Sequence, residues 1–225
     1  MSDFTLYYWP VPFRGEFVRA VLAHCGATVS EPASDEVQDM MTLDPRAQPV
    51  PHMAPPMLLD NGSGQAVAQM PAICLWLGER FDLLPAEPYL KAVAVKIVND
   101  TNDVLDEMTI NGGKAMWTSK SWSNYHPRLV RWMRIWEAAL KQDLLPEGQL
   151  GLPHIMTATL WGAMTERLSE LRPLLDAEAP RLAELTDSVR SQPALAAQAQ
   201  ESRTRFGDTW CGGEIEKSLR QVIAG

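Results

Sequence analysis

Two side chains near the start of the chain have the chemistry to stabilise an anion together. Tyr8 ends a short aromatic and β-branched run. Arg14 comes six residues after Tyr8, beyond a loop that contains Pro10 and Pro12. A phenol can donate its O–H to an anion, and a guanidinium adds a positive charge that does not titrate near neutral pH. The alternative is that Tyr8 is a core aromatic and Arg14 is a solvated surface charge.

The local sequence places this tyrosine between a strand and a helix. The run from Phe4 to Tyr8 is typical of a buried strand, and apolar residues then recur at helical spacing as far as Cys25. Gly26 predicts the end of the helix, because glycine commonly follows a helix C-terminus. The hydroxyl of Tyr8 is therefore expected in a loop at the start of a helix.

The first half of the chain alternates strands and helices. After the first helix, the predicted elements lie at residues 27–32 (strand), 35–43 (helix), 57–59 and 66–69 (hairpin) and from Pro71 onward (helix). Residues 45–56 contain five prolines and no periodicity, which indicates an irregular loop. The predicted order is β-α-β-α-β-β-α.

The second half is predicted to be almost entirely helical. Its apolar stripes lie at residues 93–108, 129–140, 160–171 and 182–189. Residues 111–125 are predicted to break the helices, because they include Gly112 and Gly113. Since a chain of 225 residues fits two modest domains, we expect an α/β domain at residues 1–83 and an all-α domain at residues 89–225, joined by a linker.

Composition argues against several classes of function. A net charge of -8 disfavours a nucleic-acid partner, and no apolar run is long enough for a membrane span. The three cysteines are far apart and fit neither a disulfide framework nor a metal site, which indicates a reducing, cytoplasmic location. The four histidines lack ligand spacing, so we expect no metal, and the N-terminal sequence predicts no secretory signal.

The order of elements resembles the cytosolic glutathione transferases, in which a thioredoxin-like half precedes an all-helical half. Residues Phe4 to Arg19 are similar, without gaps, to the first strand and helix of the tyrosine-type (sigma- and pi-like) classes. The resemblance implies that Tyr8 hydrogen-bonds the glutathione sulfur and that Arg14 lies near the bound peptide. Pro12 and Phe13 replace the Arg-Gly that is usual in this loop.

A second motif, Ala-Pro-Pro-Met-Leu-Leu-Asp at residues 54–60, is similar to the family's Val-Pro-x-Leu-x-Asp. The resemblance places a cis-proline at Pro56. It also implies that the preceding residue pairs its backbone with the cysteinyl unit of glutathione. That residue is Pro55, which has no N–H and can pair only through its carbonyl.

A third motif, Gln69-Met70-Pro71-Ala72-Ile73, resembles the family's Gln-Ser-x-Ala-Ile. The resemblance implies that this segment, including Gln69, binds the γ-glutamyl carboxylate of glutathione. The family's Ser or Thr does so through its hydroxyl and backbone N–H, and Met70 retains only the N–H. The helix that begins here lacks a side-chain cap, so a bound carboxylate could be the missing cap.

Two segments of the helical half also resemble the family. Asp103, within residues 98–103, is similar to an acid that reaches the glutathione amine of the partner subunit, although a solvated helix face is the alternative. Residues 156–159 (Met-Thr-Ala-Thr) stand where the family's sixth helix starts with Ser/Thr-x-x-Asp, but they lack the acid.

The resemblance therefore implies a glutathione S-transferase. Glutathione would be the co-substrate, and its thiolate, stabilised by Tyr8, would attack a small hydrophobic electrophile; peroxidase or isomerase chemistry would use the same thiolate. A homodimer is expected, with three apolar residues covered by the second subunit: Trp76, Val93 and Met108. The candidates for the electrophile pocket are Trp9, Trp117, Trp122 and Tyr125.

Two alternatives compete with catalysis. The first is a non-catalytic protein that binds apolar ligands and has weak or no affinity for glutathione. Pro55 and Met70 favour it, because each removes one hydrogen bond to the peptide. The second is a structural dimerisation module, which the lack of an appended domain in the sequence disfavours.

Overall fold

A four-stranded mixed sheet organises the first half of the protein in a computed structural model, which describes residues 2–146, 148 and 150–224. The strands lie in the order β2-β1-β3-β4 and are β1 (Phe4–Tyr7), β2 (Val29–Ser30), β3 (Met57–Asp60) and β4 (Ala66–Ala68). β1 pairs parallel with β2 and antiparallel with β3, and β3 and β4 form the predicted hairpin. The helices of this half are α1 (Phe13–His24), α2 (Ser34–Thr42) and α3 (Met70–Arg80).

Helix α1 ends where the sequence predicts. Gly26 has a φ of 67° and lies in the left-handed region that favours glycine. Its N–H donates to the carbonyl of Ala23 at 3.1 Å, and the N–H of Ala27 donates to the carbonyl of Leu22 at 3.0 Å. These two bonds form a Schellman motif, which satisfies the last carbonyls of the helix and turns the chain toward β2.

The second half is helical, and its helices are α4 (Pro88–Met108), α5 (Ile110–Gly113), α6 (Ser119–Lys141), α7 (Leu152–Arg167), α8 (Arg172–Glu178), α9 (Pro180–Arg190), α10 (Pro193–Phe206) and α11 (Gly213–Ile223). α7 lies at the centre, where every one of its residues except Glu166 is buried. It packs against α4, α9 and α1. The chain thus has a thioredoxin-like α/β half followed by an all-α half, and this prediction is confirmed.

Helix α6 begins earlier than the sequence predicts. It starts at Ser119, so Trp122 and Tyr125 lie within a helix and not in a break. The Oγ1 of Thr118 accepts a hydrogen bond from the N–H of Ser121 at 3.1 Å, and the Oγ of Ser121 accepts one from the N–H of Thr118 at 2.9 Å. This capping box escaped the sequence prediction because serine takes the place of the usual Glu or Gln.

Helix α7 also begins earlier, at Leu152, so Met156 and the next three residues lie in its buried interior. Assigning them to the helix start was therefore wrong. The N-terminal position belongs to Gly151, whose N–H donates to the Nδ1 of His154 at 3.3 Å. The neutral imidazole of His154 thus accepts the hydrogen bond that a Glu or Gln side chain accepts in a capping box. Because this ring is buried, the pKa of His154 is lowered, which favours the neutral form that can accept the bond.

The prediction that three apolar residues await cover by a second subunit is wrong for two of them. Val93 is 8% exposed and Met108 is fully buried, because α4 turns its apolar stripe toward α3 and α7 of the same chain. Trp76 is half-buried and packs edge-on against Phe4, with ring centroids 6.3 Å apart. In the described part of the chain no helix combines the length and apolar character that a membrane span requires.

Candidate active site

Three segments that the sequence motifs singled out meet at one edge of the sheet. Tyr7 at the end of β1 lies opposite Met57 at the start of β3, and Met57 lies opposite Ala68 at the end of β4. Because neighbouring strands are antiparallel, Tyr8, the Pro55–Pro56 pair and Gln69 follow or precede these residues at the same edge. The N–H of Gln69 donates to the carbonyl of Pro56 at 3.0 Å, which ties two of the segments together.

Tyr8 is held tightly against the first turn of α1. Its side chain is buried, and a Cβ atom on Gly15 would overlap Cδ1 of the ring and lie 2.9 Å from Cε1. Glycine is therefore required at position 15 for the close approach of helix and ring. The guanidinium of Arg19 lies 5.9 Å from the ring centroid on the same helix.

The hydroxyl of Tyr8 accepts a hydrogen bond from the backbone N–H of Arg14 at 3.0 Å. This N–H belongs to the first turn of α1, where N–H groups have no partner within the helix, so the hydroxyl serves as a cap. Burial raises the pKa of Tyr8 to about 12, although the charge and the N–H of Arg14 oppose that shift. The phenol is therefore neutral near pH 7, and its proton is free to be donated to a further group.

The guanidinium of Arg14 extends toward α4. Its Nε donates to Oδ1 of Asn102 at 3.1 Å, and its Nη2 lies 3.5 Å from Oδ1 of Asp106. The sequence prediction missed these two partners; their spacing of four residues on one helix face was the only signal. Thus the backbone of Arg14, and not its guanidinium, reaches the tyrosine hydroxyl, while the side chain joins the two halves of the protein.

Phe13, the first residue of α1, has an unusual backbone conformation, with a φ of 30°. The resemblance places a glycine at this position, and glycine adopts such angles without strain. Phe13 is held there by contacts with the C-terminal segment: its N–H donates to the carbonyl of Trp210 at 3.2 Å, and the two rings pack edge to face with centroids 5.3 Å apart. Phe13, in place of the family's glycine, therefore brings Trp210 into contact with the segment that follows Tyr8.

The peptide bond between Pro55 and Pro56 is cis, so this prediction is confirmed. The carbonyl of Pro56 is occupied by Gln69, as described above. The carbonyl of Pro55 accepts no hydrogen bond from the described residues and remains available to a ligand.

The start of α3 presents backbone donors. Gln69 has a φ of 75° and is the N-cap residue, and no described side chain caps the helix. The side chain of Met70 is fully buried in the core, so only its backbone can face a ligand. The N–H groups of Met70 and Ala72 are the donors of the first turn, since Pro71 has none. Together with the helix dipole they suit a carboxylate.

Asp103 lies on α4 between Asn102 and Asp106, the two residues that contact Arg14, but forms no hydrogen bond or ion pair with Arg14 itself. It is exposed on α4 and forms no ion pair with another described residue. Partial burial and the negative charges of Asp100, Glu107 and Asp106 raise its pKa. A cationic partner from outside the chain would relieve this repulsion.

Trp117, one of the residues predicted to line the electrophile pocket, packs among other aromatic side chains. It is buried, its Nε1 donates to the carbonyl of Met108 at 2.9 Å, and its ring centroid lies 5.5 Å from that of Trp122 and 5.2 Å from that of Tyr125. The three rings pack against one another, and a pocket for the electrophile beside them stays a prediction. Trp9 remains a predicted contact of the electrophile.

The fold and this edge define a class of protein: a thioredoxin-like half with a tyrosine after its first strand, followed by a helical half. A family profile described as "Glutathione S-transferase, C-terminal domain" matches residues 93–222, which is more than half of the chain. The chain therefore belongs to the glutathione S-transferase family. A search of curated protein sequences found no match to it.

Solved structures with the same fold include three that cover nearly the whole chain. Ure2p5 from Phanerochaete chrysosporium, cocrystallized with 1-(S-glutathionyl)-2,4-dinitrobenzene, has a TM-score of 0.72 at 15% identity and covers 91% of this chain and 96% of its own. Monomeric Na-GST-3, a glutathione S-transferase from the hookworm Necator americanus, has a TM-score of 0.72 at 18% identity, covering 88% and 97%. Prostaglandin synthase D of Nilaparvata lugens has 0.67 at 16%, covering 88% and 98%. At these identities the likeness concerns the fold alone.

Proposed function

We propose that the protein is a tyrosine-type glutathione S-transferase in which Tyr8 stabilises the thiolate of glutathione. The observation that carries this proposal is the neutral hydroxyl of Tyr8, whose oxygen accepts the N–H of Arg14 and whose proton is free. A thiol with a pKa of about 8.5 is mostly protonated at pH 7. A donated hydrogen bond and the positive N-terminus of α1 both favour the anion and lower that pKa.

The reaction is nucleophilic attack by this thiolate on a small hydrophobic electrophile. Glutathione binding lowers the thiol pKa, so the thiol proton is released to solvent before the attack. The sulfur then forms a bond to the electrophilic carbon, and the leaving group departs with its electron pair. The same thiolate would reduce a peroxide or assist an isomerisation, so the electrophile and not the nucleophile decides among these activities.

The remaining predicted contacts position the peptide. The carbonyl of Pro55 accepts the N–H of the cysteinyl unit, and the start of α3 at Gln69 and Met70 binds the γ-glutamyl carboxylate. Arg14 lies beside the peptide, and Asp103 binds the glutathione amine in the partner subunit. Pro55 and Met70 each remove one hydrogen bond to the peptide, worth about 0.5–1.5 kcal/mol. Glutathione should therefore bind roughly fivefold to hundredfold more weakly than at a site that forms both bonds.

We also propose domain boundaries and a location. The glutathione-binding domain comprises residues 1–83 and the helical domain residues 89–225, in keeping with the end of α3 at Arg80 and the start of α4 at Pro88. The three cysteines are free thiols, which supports a cytoplasmic location.

Glutathione-agarose and a conjugation assay test the proposed function together. The protein should be retained on the resin and be eluted by free glutathione. It should also convert 1-chloro-2,4-dinitrobenzene to its glutathione conjugate, the compound with which Ure2p5 was cocrystallized. Retention without turnover of this substrate, of a hydroperoxide or of other electrophiles would favour the non-catalytic binding protein, which the hydrogen bonds lost at Pro55 and Met70 support. Failure to bind glutathione at millimolar concentration would contradict the proposed function and would leave the non-catalytic protein that binds apolar ligands, which needs no affinity for glutathione.

We further propose that the protein is a homodimer. Met53, which is 88% exposed, and Tyr89, which is 62% exposed, are large apolar side chains that a second subunit could cover. The proposed role of Asp103 also requires a partner subunit. Na-GST-3 has the same fold and is monomeric, so the fold alone does not decide the oligomeric state.

Light scattering at micromolar concentration should therefore give twice the chain mass of 25.0 kDa. Met53→Glu should shift the protein toward the monomer, because it places a charge in the apolar contact. Met116→Glu, at a side chain that is 42% exposed elsewhere on the surface, is the control and should remain dimeric. A monomeric mass for the unmodified protein would contradict the proposal.

A further inference from the structure

A cleft of about 500 Å³ lies between the first half of the chain and helix α10. Arg19 and Ala23 of α1 form one wall together with residues 27–29 and Glu31, and residues of α10 form the other. The cleft is separate from the candidate active site, because none of Tyr8, Pro55 and Gln69 lines it. Its volume is within the range of about 300–1,000 Å³ that is usual for small-molecule sites.

Small apolar side chains keep the cleft open. Four alanines and a valine line it: Ala23, Ala27, Val29, Ala194 and Ala197. Because these side chains are short, the facing walls do not close on one another, and the apolar surface that they leave is accessible from solvent. The part of a ligand that covers these five residues is therefore apolar.

The charged residues of the cleft neutralise one another. Glu31 accepts hydrogen bonds from Nε and Nη2 of Arg19, both at 2.8 Å, and its Oε1 pairs with Nη1 of Arg205 at 2.9 Å. Glu201 is the fourth charged residue of the lining, so two carboxylates and two guanidiniums leave it with no net formal charge. A charged ligand would be desolvated here without a net opposite charge to offset the loss, which favours a neutral one.

Two polar side chains of the α10 wall have no partner among the described residues: the exposed carboxylate of Glu201 and the neutral amide of Gln198. Gln198, half-buried on α10, forms no side-chain hydrogen bond with the described residues. Its amide can both donate and accept. It lies next to Ala197 in the sequence, so a ligand that covers the apolar wall can place a carbonyl, hydroxyl or amide against it.

We propose that this cleft is an accessory binding site for a neutral, mostly apolar small molecule with one hydrogen-bonding end, which contacts Gln198. The proposal does not depend on catalysis at Tyr8. Arg19 stands between the two sites, lining the cleft and approaching the ring of Tyr8. A ligand in the cleft therefore leaves the glutathione site free.

The neutral fluorophore prodan, an apolar naphthalene with a carbonyl at one end, tests the proposal in the intact chain of 225 residues. Its emission should shift to the blue and saturate on titration with the protein. Ala197→Trp fills the cleft and should weaken prodan binding by at least about tenfold, or about 1.4 kcal/mol. Ala196→Trp is the matched control, since Ala196 is exposed on the same helix and does not line the cleft, and its affinity should stay within about twofold.

Two further measurements keep the outcome decisive. Saturating S-hexylglutathione, which would occupy the glutathione site and the space beside it, should leave prodan affinity unchanged. Gln198→Leu keeps the size of the side chain and should weaken prodan binding severalfold. If circular dichroism shows that Ala197→Trp is unfolded, Gln198→Leu serves as the cleft variant in its place. Displacement of prodan by S-hexylglutathione, unchanged affinity in both cleft variants, or absence of binding would overturn the proposal.

Discussion

Tyr8→Phe is expected to slow conjugation at neutral pH by roughly ten- to hundredfold and to leave glutathione affinity nearly unchanged. Phenylalanine fills the same space against Gly15, so the loss is confined to the hydroxyl. That group donates most strongly to sulfur once the sulfur is charged, and its removal therefore acts on the thiolate more than on the thiol. The pKa of bound glutathione should rise by roughly one to two units, or about 1.4–2.7 kcal/mol.

The pH dependence of the rate separates this effect from a general loss of structure. The conjugation rate of the variant should recover as the pH rises, because the thiolate then forms without assistance. The pKa of Tyr8 is raised to about 12, so the phenol itself does not titrate in the range of such an assay. A shift in the rate profile between wild type and variant therefore reports the thiol.

The same substitution has a structural consequence that can be measured independently. It leaves the N–H of Arg14 without its acceptor at the start of α1. An unpaired buried donor costs about 1–3 kcal/mol, so the free energy of unfolding should fall by up to that amount. If the variant keeps the full rate and the same thiolate pKa, Tyr8 is a structural aromatic, and the tyrosine-type assignment is wrong even if stability falls.

Gly15→Ala is expected to reduce the conjugation rate at least as much as Tyr8→Phe. The new methyl group would overlap the ring of Tyr8 and lie 3.0 Å from Nη1 of Arg19. The backbone bearing both groups is fixed by α1 and β1, so the ring must move and its hydroxyl must leave the N–H of Arg14. Alanine favours a helix over glycine by about 0.5–1 kcal/mol, but overpacking costs about 1–3 kcal/mol. Stability should therefore fall on balance.

A double-mutant cycle tests whether Gly15→Ala acts through the tyrosine. If its effect on the rate is the displacement of the hydroxyl, then Gly15→Ala should add little further loss when Tyr8 is already phenylalanine. Conjugation rates and denaturant unfolding of the four proteins provide the two readouts. An undiminished rate in Gly15→Ala would contradict the prediction. It would show that the ring of Tyr8 tolerates the new methyl group without displacement of its hydroxyl. Additive losses would show that Gly15 acts by another route.

The sequence alone determined the features that depend on neighbours in the chain. The end of α1 follows from Gly26, since only the residue type at that position decides whether the left-handed turn forms easily. The hairpin of β3 and β4 follows from its turn residues, whereas the cis bond at Pro56 was implied only by the resemblance of residues 54–60 to a family motif. The alternation of elements likewise indicated the α/β half and the all-α half without knowledge of any long-range contact.

Only the tertiary structure decided which groups face one another. Asn102 and Asp106 reach Arg14 from a helix far along the chain, and no local pattern encodes that pairing. Burial of Val93 and Met108 likewise depends on which helices cover α4, because an apolar stripe has the same sequence whether the same chain or a second subunit covers it. The backbone N–H that meets the hydroxyl of Tyr8 is invisible in a sequence for the same reason: every residue except proline has one, and only the packing of α1 against the end of β1 selects that of Arg14.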